Sequence, residues 1–203
     1  LEAFMRAVIA VFEEVDLLDV GGPYEVFLTA SRLEERGGAE PPFEVMTAGP
    51  ERVRSYGGLG LHPDVELTAV GQVDLLVVPG AIDIQAVRDD TELMRDLRKA
   101  AEQAEVVASV CTGAFLLAEI GMLPESWTTH WEDIDALQAS ASGRGQRAVR
   151  WVDTGRVVTG GGLSSGIAMA LHLVDRFSGR ELAERTARQI DYVWDPSGAS
   201  LGG

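Results

Sequence analysis

Three short runs in this chain are apolar along nearly their whole length: "AVIAVF" at 7–12, "VDLLVVPG" at 73–80 and "VVASV" at 106–110. A strand with apolar side chains on both faces needs cover on both faces, which a parallel sheet buried between helices provides. The segments between the runs supply those helices. "GGPYEVFLTASRLEERGG" reads as a helix from 21, with Pro23 in its first turn and Gly37 as its stop. "DDTELMRDLRKAAEQA" is amphipathic, with acids in its first turn.

"FEVMTAG" at 43–49 adds a strand, and short hairpin strands are expected around "VRS" and "LGLHP". After Cys111, "GAFLLAEI" reads as a helix ended by Gly121, and "WTTHW" as a short strand or loop before the helix "EDIDALQAS". "AVRWVDTGRVVTGG" is a hairpin turning at Asp153-Thr154-Gly155. "SSGIAMALHLVDRFSG" and "RELAERTARQIDYVW" close the chain as helices. Strands alternating with helices, without linker or repeat, give the expectation of one α/β domain over residues 1–203 with a mainly parallel sheet.

Charge and cysteine content narrow the function. A net charge of −15 and no run of Lys or Arg weigh against nucleic acid or an anionic membrane as partner. The first apolar run is too short to span a bilayer, and Glu13, Glu14 and Asp16 follow it where a signal peptide would carry small residues. A single cysteine excludes an internal disulfide and fits a reducing, cytoplasmic setting.

That cysteine sits between a strand and a helix. In doubly wound sheets, ligands lie beyond the carboxyl ends of the strands. Three loops qualify: "EEVDLLDVGGP", "PGA" and "CTG". A thiol at the start of a helix feels its positive end, and the N–H groups of Thr112 and Gly113 can meet a developing anion. A buried structural thiol fits the position equally well. A nucleophile needs a proton partner, and none of His62, His130 and His172 neighbours Cys111 in sequence. The first loop offers Glu13, Glu14, Asp16 and Asp19, and spacing does not choose among them.

Other signals are weaker. "GLSSG" at 162–166 matches a serine-nucleophile elbow, but His172 precedes Asp175 and Asp191, the reverse of the order that elbow requires. Ser164 or Ser165 is expected to cap a helix instead, and Gly160–Gly162 to allow a helix to pack closely on a strand. One Cys and three scattered His show no metal-ligand spacing, and "TGGGLSSG" lacks a phosphate-loop Lys.

Taken in order, "VDLLVVPGA", "ASVCTGAFLLAEIGML", "TTHW" and "RVVTGGGLSSGIAMALHLV" resemble the ThiJ/PfpI superfamily, from about Arg6 to Ile190. The resemblance implies a flavodoxin-like three-layer sandwich, related to class I glutamine amidotransferases, with Cys111 on a nucleophile elbow. "CTG" with "TTHW" is similar to the branch holding isocyanide hydratases and the sensor domains of AraC-type regulators. In that branch an Asp shortly before Gly-Pro partners the cysteine, which points to Asp19 in "LLDVGGP". The implied oxyanion donors are the amides of Gly80, Ala81 and Thr112. Thr112 would hold Asp19 by a hydrogen bond, and Gly113 and His130 would lie at the site.

The implied reaction is hydration of an isocyanide to an N-formamide through a Cys111 thioimidate, without metal or cofactor, on a small electrophilic substrate. A homodimer is implied by resemblance alone. Rival readings are a sensor domain of a regulator, a redox protein whose cysteine is oxidised, and a glyoxalase or deglycase. With the tail "WDPSGASLGG" a helix-turn-helix pair is not expected, and Asp19 replaces the Glu that the glyoxalase and deglycase branches favour.

Overall fold

The structure is a computed structural model that describes residues 4–200. The first three and last three residues of the expected 1–203 domain lie outside the described residues. Strands β1 (Met5–Ala10), β2 (Phe43–Ala48), β3 (Val53–Arg54), β4 (Gly60–Leu61), β5 (Leu75–Val78), β6 (Val106–Ser109), β7 (Ser126–Trp127), β8 (Arg144–Gly145), β9 (Trp151–Asp153) and β10 (Val157–Gly160) are interspersed with seven α-helices among the described residues. These are α1 (Leu17–Arg36), α2 (Ile84–Asp89), α3 (Thr91–Gln103), α4 (Gly113–Glu119), α5 (Ile134–Ser140), α6 (Ser165–Ser178) and α7 (Arg180–Gln189).

Six strands form the central sheet in the order β2-β1-β5-β6-β10-β9, all parallel except for β9, which runs antiparallel to β10. The apolar runs occupy its middle: Val8, Ile9, Leu75, Leu76, Val77 and Val107 are inaccessible to solvent. Helices α1, α6 and α7 pack together, and α2 lies against α3 and α4 as a second group. The order reverses between β1 and β5, because the chain leaves β1 outward to β2 but leaves β5 in the other direction to β6. Right-handed crossovers then put the connecting helices on opposite faces and open a crevice at the carboxyl ends of β1 and β5.

The expected hairpins are present: β3 pairs antiparallel with β4, and the β9–β10 turn passes through Gly155 at φ 94°. Three expectations need correction. Helix α1 begins at Leu17, not Gly21, because the Asp16 side chain accepts the Leu18 N–H and caps it. Asp19 therefore stands in the first helical turn rather than a loop, and Pro23 lies further inside. The last helix stops at Gln189, and Asp191 follows at φ 54°. Ser164 occupies the cap position of α6 but makes no side-chain capping bond.

Leu171 on α6 is inaccessible to solvent within the main core. Leu171→Ala is expected to cost about 2–5 kcal/mol, read as a lower midpoint in urea unfolding with an unchanged slope.

Candidate active site

Cys111 ends the connection from β6 and sits at φ 56°, a left-handed conformation that costs energy for any side chain with a Cβ. Its backbone is held on both sides. Its N–H donates to the carbonyls of Gly160 at 3.2 Å and Gly161 at 3.0 Å, and its carbonyl accepts the Thr129 hydroxyl at 2.7 Å. Such a sharp turn presents the side chain at the carboxyl edge of the sheet, ahead of α4. Cys111 is only 8% exposed.

Of the four acids that spacing left open, Asp19 is the one brought to the thiol. Glu13 is spent outside, accepting the Arg54 N–H at 2.9 Å, and Glu14 is exposed. Asp19 is fully buried; its Oδ2 accepts the Gly80 N–H at 2.9 Å, while Oδ1 lacks a formed hydrogen bond and the carboxyl interacts with the Cys111 side chain. Burial pushes the Asp19 carboxyl up to about 7, with Asp16 adding to the rise and the Gly80 N–H and Cys111 opposing it. Burial also pushes the Cys111 thiol up to about 12, and the charge of Asp19 reinforces it. The N–H groups of Thr112 and Leu163 face the sulfur and work against that rise.

Thr112 follows another course than expected. Its hydroxyl accepts the Ala81 N–H at 2.9 Å and donates to the Ala81 carbonyl at 2.8 Å, so it locks the β5 loop and makes no bond to Asp19. The amides of Gly80 and Ala81 are thereby both engaged, on Asp19 and on Thr112. The Gly113 N–H closes the elbow turn on Val110. Close approach explains Gly80: a Cβ there would stand 2.5 Å from Thr112 Oγ1 and 3.0 Å from Asp19 Oδ2.

A pocket of about 530 Å³ opens beside this group, with Leu163, His130, Trp131, Ser164 and Arg150 in its wall. Cys111 lies behind that wall rather than in it. His130 is pressed against Gly162, where a Cβ would overlap the imidazole, so Gly162 makes room for a histidine and not for a helix. Gly160 does serve helix packing, with Met169 of α6 beside it. The His130 Nδ1 lies 3.5 Å from Asp133 and 3.7 Å from Glu132. His62 lies apart, in a shallow surface groove with Glu13 and Arg52. His172 bonds Asp153 at 2.8 Å and stacks on Trp151, which leaves the "GLSSG" serines without it.

Sequence reasoning missed two groups: Leu163, whose N–H reaches the sulfur from a backbone at φ 42°, and Thr129, which ties down the Cys111 carbonyl. Both lie in motifs that the sequence marks, "GLSSG" and "TTHW". Among the described residues no group of three or more His, Cys, Asp or Glu comes together as a metal site, and no helix is long and apolar enough to cross a membrane.

Fold and site together define an α/β protein with a thiol on a strained elbow beside a buried carboxyl. The DJ-1/PfpI family model matches residues 5–176, and the chain belongs to this family. It is 31% identical to the isonitrile hydratase of Pseudomonas putida over 187 residues, covering 91% of this chain and 77% of the relative. It is 30% identical to a deglycase of Pyrococcus horikoshii, covering 79% of this chain and 87% of that one. An HTH-type transcriptional regulator of Pseudomonas aeruginosa is 33% identical over 66% of this chain, which spans 37% of the regulator. Among solved structures, a ThiJ/PfpI family protein from Pseudomonas syringae superposes with a TM-score of 0.81 at 23% identity, covering 96% of this chain and 77% of that one.

The raised pKa of Asp19 has a consequence for stability. The folded pKa of Asp19 lies above its unfolded value of 3.8, so the carboxyl destabilises the fold once it must ionise. That cost is absent below about pH 4 and complete above about pH 7. Asp19→Asn should be more stable than the native protein at pH 8, by on the order of 2–4 kcal/mol, and the gap should close toward pH 4. Denaturant unfolding at both pH values reads it. Alkylation of Cys111 by iodoacetamide should be slow at neutral pH, and Asp19→Asn should shift its pH profile downward.

Proposed function

We propose that the protein is an isocyanide hydratase, converting R–N≡C and water to the N-formamide R–NH–CHO. The observation that carries this reading is the pairing of the only thiol with a single buried carboxyl, both beside a pocket. The relation to the P. putida isonitrile hydratase supports the choice of reaction.

In the proposed reaction, the Asp19 carboxylate takes the Cys111 proton as the sulfur attacks the terminal isocyanide carbon. A C–S bond forms, and Asp19 returns the proton to that same carbon, leaving the thioimidate R–N=CH–S–Cys. The amides of Thr112 and Leu163 stabilise the sulfur while it carries negative charge. Water then adds to the thioimidate carbon. Asp19 removes one water proton and passes it to nitrogen. The C–S bond breaks as the remaining hydroxyl proton leaves through Asp19 to the departing sulfur, and the formamide is released. Atoms balance as one isocyanide plus one water.

Gly80 and Ala81 act in this scheme through structure: the Gly80 N–H orients Asp19, and the Ala81–Thr112 pair fixes the loop behind the elbow. Gly113 shapes the turn, and His130 contributes a wall of the pocket. The same reading carries a homodimer in the cytoplasm. A second reading, a ligand-sensing domain, draws on the P. aeruginosa regulator and on a thiol that burial keeps protonated at rest.

N-formamide formation from alkyl and aryl isocyanides tests the proposal. Cys111→Ala and Asp19→Asn should each lower turnover by on the order of a hundredfold or more. In the native protein kcat/KM should rise with pH through about 7, as Asp19 becomes the base. Absence of turnover by folded native protein would favour the sensor.

A further inference from the structure

One cationic side chain stands in the pocket wall of a chain whose net charge is −15. Arg150, half-buried, immediately precedes β9. Its backbone is fixed: the N–H donates to the Gly198 carbonyl at 2.7 Å, and the carbonyl accepts the Gly161 N–H at 2.8 Å. Among the described residues its guanidinium has neither an ion pair nor a formed hydrogen bond. Its charge reaches Asp195 and Tyr192, favouring the ionised form of each. Asp195 is already occupied by the Ser197 N–H at 2.8 Å, and the Tyr192 hydroxyl donates to the Ser164 carbonyl at 3.4 Å. Ser164, exposed and free of any capping role, lines the same pocket.

Acidic side chains stand near the pocket as well. Glu132 and Asp133 flank His130, and Asp19 lies beside the thiol behind Leu163. Arg150 is therefore the single cationic side chain of the pocket wall, while negative groups gather near His130 and the sulfur. A neutral reactive head suits the neighbourhood of those groups, and an anion suits Arg150. The anion that one planar guanidinium matches in charge and in bidentate geometry is a carboxylate.

We infer that the substrate carries a carboxylate on its R group, a short isocyanoalkanoate whose N≡C end meets Cys111 while Arg150 and the Ser164 hydroxyl take the carboxylate. This rests on the hydratase reading and goes beyond it by fixing the class of R. Arg150 is then the residue that sets specificity.

Isocyanoacetate and its methyl ester differ at the R group's end by that charge and one methyl group. The native protein should prefer the anion in kcat/KM, and Arg150→Gln should reduce that preference on the order of tenfold or more, with Arg150→Lys intermediate. Circular dichroism melts of the three proteins establish that they are folded. An ester preferred or equal in the native protein, or an anion preference that survives Arg150→Gln, overturns the inference while leaving the hydratase reading in place. If neither compound turns over while the alkyl and aryl isocyanides do, the inference is overturned; if no isocyanide turns over, the hydratase reading fails, and calorimetry on Cys111→Ala decides the rest. N-formylglycine binding tighter than its methyl ester, and weakened by Arg150→Gln, upholds a carboxylate site; equal binding of the two overturns it.

Discussion

A thiol and a carboxyl placed together out of water cannot both be charged, and the chemistry of this protein is organised around that constraint. Asp19 is inaccessible to solvent and Cys111 nearly so; burial raises both pKa values, and the charge of Asp19 raises that of Cys111 further. Their neighbourhood provides hydrogen-bond donors for one negative charge at either position: the Gly80 N–H at the carboxyl, and the Thr112 and Leu163 N–H groups at the sulfur. Moving the proton between the two leaves the net charge of the pair unchanged. In the proposed reaction a nucleophile can then appear at the moment of attack without importing a charge into the site.

The fold supplies the precision this requires. The sheet reverses its winding between β1 and β5, and the three segments that carry Asp19, Gly80 and Cys111 leave strands β1, β5 and β6 around that point. Strain is tolerated at Cys111 because its backbone N–H and carbonyl are both anchored, by Gly160, Gly161 and Thr129. The absence of a side chain at Gly80 lets Asp19 and Thr112 meet the β5 loop from two sides. Removing water from such a group costs stability, which the surrounding apolar core offsets.

The layered α/β fold was legible because its cause is local. Runs such as "LLVV" need cover on both faces, and amphipathic segments between them provide it. Cys111 was legible for a related reason, since a small polar residue between such a run and a helix marks an elbow. Asp19 was legible only through the resemblance and not from spacing, because four acids fall within seven residues and the path of α1 decides which one turns inward. That path depends on the Asp16 cap, an interaction visible only once the helix is known to start there. Thr112 shows the reverse error: resemblance suggested a bond to Asp19, while register across the β5 and β6 loops delivers its hydroxyl to Ala81. Leu163 contributes through its backbone N–H, which no side-chain pattern reveals, and Arg150 reaches the pocket only through the β9 edge of the sheet.

With one cysteine in the chain, an infrared S–H stretch reports on Cys111 alone, so infrared titration follows the charge of the pair directly. The account predicts that the S–H band persists at neutral pH and above, while the carboxylic acid C=O band assigned by Asp19→Asn disappears with a midpoint near 7. Loss of the S–H band at neutral pH, with the Asp19 acid band retained, would put the resting charge on sulfur and contradict the account.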